Sequence, residues 1–125
     1  MRVRARYLLP LLLLAGAGSA RAADPDGEQR ARRSFARGEE HFQAGRFADA
    51  LGEYQQGYDQ LPLPGFLINI AQCQRRLGEL KQAQATYRKF IMVEPDSPYV
   101  PEVKELLAEL DRLLATFTDQ HPDVK

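Results

Sequence analysis

From about residue 26 onward, apolar residues recur every three to four positions, and glycine or proline interrupts the pattern at four places. That spacing is the mark of amphipathic helices. The first expected helix spans 26–44, with Ala31, Phe35, Gly38, His41 and Phe42 along it. Asp24-Pro25-Asp26 supplies its start signal, an aspartate cap with proline just inside. Gly45 ends it, because glycine suits the left-handed cap conformation. A second helix is expected over 47–60 with Ala50, Leu51, Tyr54 and Tyr58 on one face, stopped by Pro62 and Pro64. A third, over 65–77, carries Phe66, Leu67, Ile70, Ala71 and Cys73 and is the most apolar stretch after the leader. A fourth covers 80–93, with Leu80, Ala83, Tyr87, Phe90 and Ile91 inward, and ends before Pro95. The last, over 99–118 with Asp96 or Ser97 as its cap, places Val103, Leu106, Leu110, Leu113 and Phe117 in one stripe beside Leu107 and Leu114. Lys104, Glu105, Glu109 and Arg112 lie on its opposite face.

The pattern also repeats. A shift of 33 residues carries Gly45 onto Gly78, Phe47 onto Leu80, Ala50 onto Ala83, Tyr54 onto Tyr87 and Pro62 onto Pro95. A period of that length reading helix, turn, helix marks a helical repeat array. The units span about 31–63 and 64–96 within a repeat region 24–96. A third copy is not written, since Lys104 and Asp111 fall where a small residue and the turn glycine belong. The segment 97–118 is therefore expected to cap the open end of the stack, with 119–125 as a frayed tail.

The first 22 residues stand apart. Arg2, Arg4 and Arg6 precede an apolar run from Tyr7 to Ala17, and Ala20-Arg21-Ala22 fits a small-x-small cleavage site. The run is too short for the roughly 20 residues a spanning helix needs. The expected outcome is a signal peptide cut after Ala22, a periplasmic or secreted protein, and no stable membrane span afterwards. Loss of Arg2, Arg4, Arg6 and Arg21 leaves 13 basic against 17 acidic residues, about −4. A mildly acidic domain has no electrostatic footprint for nucleic acid. The single Cys73 excludes an internal disulfide framework; it is either a buried thiol or a bridge between chains.

Gly38, Gly45, Phe47, Ala50, Tyr54 and Pro62 in the first unit, and Ala71, Gly78, Leu80, Ala83, Tyr87 and Pro95 in the second, resemble the tetratricopeptide repeat. The chain departs from that family at Ser34 and Leu67, where an aromatic is usual, and at Gly57, where alanine is usual. Tyr87 to Val100 resembles repeat proteins of bacterial envelope assembly and division, and Phe66 to Gly78 resembles short exported repeat proteins. The resemblance implies an all-α fold: two helix-turn-helix repeats in a short right-handed solenoid, plus the capping helix. It also implies binding of another protein or an extended peptide on the concave face of the first helix of each repeat. By repeat position that face holds Phe35, Glu39, Phe42, Gln43, Ile68, Gln72, Arg75 and Arg76. The arginine pair suits a carboxylate, and the phenylalanines suit apolar anchors. The family's carboxylate-clamp variant wants lysine and asparagine where this chain has Phe35 and Glu39; only Asn69 matches it.

Catalytic chemistry is not written in the chain. His41 and His121 are its only histidines, and no nucleophile or acid stands beside His41 at helical spacing. Metal-ligand spacings and phosphate loops are missing too, so no enzyme activity, metal or cofactor is expected. Two functions remain. One is an exported scaffold that binds a partner in the cell envelope. The other is a self-assembling unit whose helix 99–118 pairs with a second copy.

Overall fold

The computed structural model describes residues 25–120. The described residues form only helices: α1 (Pro25–Gln43), α2 (Phe47–Gln60), α3 (Gly65–Arg76), α4 (Leu80–Val93) and α5 (Val100–Gln120). The expected signal peptide and residues 121–125 lie outside the described residues, while 119 and 120 are helical rather than tail. The principal helix packings follow chain order: α1 on α2, α2 on α3, α3 on α4, α4 on α5. No described helix is long and apolar enough to cross a membrane.

The two glycine turns are the same device used twice. Gly45 has φ 79° and Gly78 φ 81°. A side chain at either position meets the steric penalty of the left-handed region, about 1–2 kcal/mol. The residue after each glycine donates its N–H five positions back, Arg46 to the His41 carbonyl and Glu79 to the Gln74 carbonyl, both at 2.8 Å. That is the Schellman closure of a helix end. The next helices then start alike, with Ala50 N–H on the Arg46 carbonyl at 2.9 Å and Ala83 N–H on the Glu79 carbonyl at 3.0 Å. The breaks after α2 and α4 are proline breaks. At the second, Ser97 Oγ accepts the Tyr99 N–H at 3.1 Å and leads into α5, as its type suggests.

The apolar faces meet in two clusters, and α3 contributes to both. Phe66, Ile70 and Cys73 join Ala31, Phe35, Ala50, Tyr54 and Leu63. Leu67, Ile68 and Ala71 join Ala83, Tyr87, Phe90, Val100, Val103, Leu106 and Leu110. Residues 65–74 are consequently buried without interruption, which makes α3 the axis of the molecule. Small residues set the helix approach. A Cβ on Gly38 would lie 2.5 Å from the Tyr54 ring, and one on Gly57 would lie 2.6 Å from the Phe66 ring. The departure from alanine at Gly57 thus has a steric cause.

Helix α5 covers the second cluster with only the first part of its stripe. Val103 and Leu110 are wholly buried, whereas Leu113 and Phe117 are 48% and 46% exposed. The apolar stripe is thus buried along its first part and open along its end. The face of α5 turned away from the cluster carries Pro101, Glu105, Ala108 and Arg112, all exposed. Polar ties fasten the helix on either side: Arg75 to Glu109 at 2.8 Å, and Arg88 to Asp111 at 3.6 Å with Gln84 donating to the same carboxylate.

Candidate functional site

The side chains of α3 divide by angle. One side serves the first apolar cluster and a second side serves the other. On the flank toward α4, Gln74 accepts from Thr86 Oγ1 at 2.8 Å. Asn69, Gln72 and Arg76, spaced by three and four, form a polar row along the helix.

Each member of that row has its own situation. Gln72 is wholly buried; its Nε2 donates to the Tyr87 hydroxyl, and its Oε1 has no hydrogen-bond partner. Asn69 is also wholly buried, and neither Nδ2 nor Oδ1 finds a partner. An unmet buried polar group costs about 1–3 kcal/mol, so Asn69 is an expensive residue to hold in the most apolar helix. Arg76 ends the row. Its guanidinium lies 5.5 Å from the centroid of Phe42 and 5.1 Å from that of Phe47, and the two rings meet edge-on at 5.1 Å. Arg75, one residue earlier, turns the other way to Glu109. The two arginines therefore link the end of α3 to α5 on one side and to the α1–α2 turn on the other.

The 33-residue shift exposes a contrast. Gln72 and Tyr87 correspond to Glu39 and Tyr54. The Tyr87 hydroxyl is hydrogen-bonded, but the buried Tyr54 hydroxyl is not. Burial, then the neighbouring Cys73 and Glu39, push the Tyr54 phenol far above its usual range. Burial also pushes the Cys73 thiol up to about 12, against the opposing pull of Arg76. A buried, protonated thiol is a poor nucleophile, and bridging between chains would require unpacking the core.

The residues expected to line a binding face fare unequally. Phe35 is 5% exposed and packs its ring 6.0 Å from Tyr54 and 6.1 Å from Phe66, so it is core. Ile68, 3% exposed, is core in the other cluster. Phe35 turns from α1 into the space between α2 and α3, and Ile68 turns from α3 toward α4 and α5, so each fills an interface rather than a groove. Gln72 is enclosed rather than open. Phe42 is half-buried, Glu39 is partly exposed and Gln43 is exposed. The structure brings Phe42 and Arg76 together and adds Phe47 to them. Arg75, held by Glu109, is less available for a partner's carboxylate than the arginine pair suggests. Asn69 was not among the expected residues; its signal was an amide placed inside an otherwise apolar helix.

His41 Nδ1 accepts a hydrogen bond from Arg46 Nε at 2.9 Å in the first glycine turn. Among the described residues no group of histidine, cysteine, aspartate and glutamate is placed to hold a metal ion. No known protein family, curated protein or solved structure matches the chain.

Proposed function

We propose that the protein is an exported, non-enzymatic tetratricopeptide-type scaffold of the bacterial cell envelope. Its two repeats, α1–α2 and α3–α4, stack as a short right-handed solenoid capped by α5, and its concave face holds a segment of another protein. The observation that carries this reading is the exposed Arg76 seated over the half-buried Phe42 and Phe47 rings, where the ends of α1 and α3 meet the start of α2. Support for the repeat comes from two glycine turns with the same φ and the same backbone hydrogen bonds, and support for export comes from the arginine-rich, leucine-rich leader ending in Ala20-Arg21-Ala22.

Phe42 and Arg76 stand at the mouth of that face with Phe47, and aromatic and arginine side chains dominate interface energies at about 2 kcal/mol or more on truncation. Phe42→Ala and Arg76→Ala are each expected to weaken capture of a partner from an envelope extract about 30-fold. Arg76→Ala should lower stability by only about 0.5–1 kcal/mol for the lost ring contacts. Lys81→Ala, exposed on α4, is the control. Undiminished capture by both variants in folded form rules this face out.

The half-exposed Leu113 and Phe117 favour a second reading, in which two copies pair along the end of α5. A dimer that persists on dilution in light scattering, and that Leu113→Ser abolishes, is its signature.

A further inference from the structure

Going beyond the scaffold role, we propose that Arg33 and Arg37, in line with Arg30, seat the protein on an anionic lipid surface. All three arginines are exposed on α1. At 3.6 residues per turn they share an arc of about 60°. Phe35, whose ring meets that of Phe66 on α3 at 6.1 Å, lies about 140–160° round the helix from them. The row therefore points away from α3. Phe42 also lies on the far side, so a partner held by Phe42 and Arg76 leaves the row uncovered. Among the described residues no ion pair engages Arg33 or Arg37, whereas Arg32 is paired with Glu28, Arg75 with Glu109 and Arg88 with Asp111. Asp26 and Glu40 stand at the two ends of the row, so its positive charge is concentrated between them.

The make-up of this face selects the occupant. Its exposed residues between Asp26 and Glu40 are Gln29, Arg30, Arg33, Ala36 and Arg37, with no large apolar side chain. Protein interfaces draw their energy from aromatic and other anchors in desolvated pockets, and this face has no such anchor. Attraction to headgroups needs none, since each basic side chain near an anionic bilayer adds about fivefold in affinity by itself. A straight row about 10 Å long on one side of a helix also suits a plane. The position in the chain agrees. The leader's apolar run ends at Ala17, and α1 is the first element after it. A leader of this kind takes the chain across a bilayer, so the row is delivered beside one. With nothing apolar to insert, the contact is to headgroups alone and is screened by salt.

The test uses the protein as cells process it, sedimented with vesicles of phosphatidylcholine alone or of equal parts phosphatidylcholine and phosphatidylglycerol. At low salt the anionic vesicles are expected to bind it about 25-fold more tightly than the neutral ones, and high salt should remove the difference. Arg33→Gln and Arg37→Gln should each cost about fivefold on anionic vesicles and together about 25-fold. Both positions are exposed, so the melting temperature should hold. A retained leader raises uptake of parent and variants alike, and the comparison between them still reports the row. Equal binding by the parent and the double variant overturns the proposal. An equal loss in Lys81→Gln, exposed on α4, means that overall charge is read rather than the row, and overturns it as well. Polyglutamate stands in for an acidic protein: arginine-dependent binding to it, with no preference for anionic vesicles, assigns the row to a protein partner and overturns the lipid surface. Partner capture through Phe42 and Arg76 should be the same for the parent and the double variant, so the two faces stand or fall separately.

Discussion

A chain ending at Pro98 should fail to fold as a soluble monomer. Removal of residues 99–125 strips Val100, Val103, Leu106 and Leu110 from the second apolar cluster and leaves Leu67, Ile68, Tyr87 and Phe90 without their cover. Burying one large apolar side chain is worth about 1.5–3 kcal/mol. Loss of four takes away roughly 6–12 kcal/mol, against the 5–15 kcal/mol by which whole domains are stable. The opposing possibility is that α5 is a detachable arm, in which case the truncated chain remains helical and monomeric. Circular dichroism with light scattering separates the two, and a folded, dilution-stable monomer would show that the cap is dispensable.

Gly57→Ala should destabilise the protein by about 1–3 kcal/mol, the range for overpacking a filled core. The sign is the informative part. Alanine is the commoner residue at this position in the tetratricopeptide pattern. In a helix interior it is favoured over glycine by about 0.5–1 kcal/mol. A gain is therefore the outcome that propensity alone predicts. Space decides otherwise. The added methyl would stand 2.6 Å from the Phe66 ring and 3.2 Å from Ser34 Cβ, and Phe66 is only 1% exposed. A ring enclosed on all sides cannot swing aside as an exposed side chain can. Phe66→Leu combined with Gly57→Ala should recover part of the loss, because neighbours that share a clash are not additive. Denaturant unfolding of the two single variants and the double variant measures this directly. A more stable Gly57→Ala protein would mean that α2 and α3 lie further apart than described.

Local signals carried most of the helical framework. Expected spans of 47–60 and 80–93 coincide with α2 and α4, and the others differ by one or two residues at their ends. These boundaries are legible because glycine with positive φ and proline act on the backbone at their own positions, whatever surrounds them. The binding face was less legible, and for a different reason. A helical wheel tells which residues share a side of α3, but not how many neighbours that helix has. Phe35 and Ile68 read as groove residues from repeat position, yet each fills a cluster that only the packing of three helices creates. Phe47 entered as the aromatic of the repeat pattern and also lies under Arg76. Asn69 could have been found from sequence by its chemistry, since an amide among Phe66, Leu67, Ile68, Ile70 and Ala71 calls for a partner.

The chain-order packing of the five helices bears on how the molecule assembles and comes apart. Its main interfaces join consecutive helices, so each forms after closure of a short loop. Proteins built from such local contacts fold in microseconds to milliseconds, and no distant strand has to be found. Protection should accordingly be graded along the molecule, because opening a terminal helix disturbs one main interface while opening α3 disturbs two and both clusters. The amides of α3 should exchange with solvent only when the whole domain opens, while the outer turns of α1 and α5 exchange through partial openings at either end. The helix that joins the two clusters is therefore the slowest-exchanging segment, and it keeps one shape while the ends breathe.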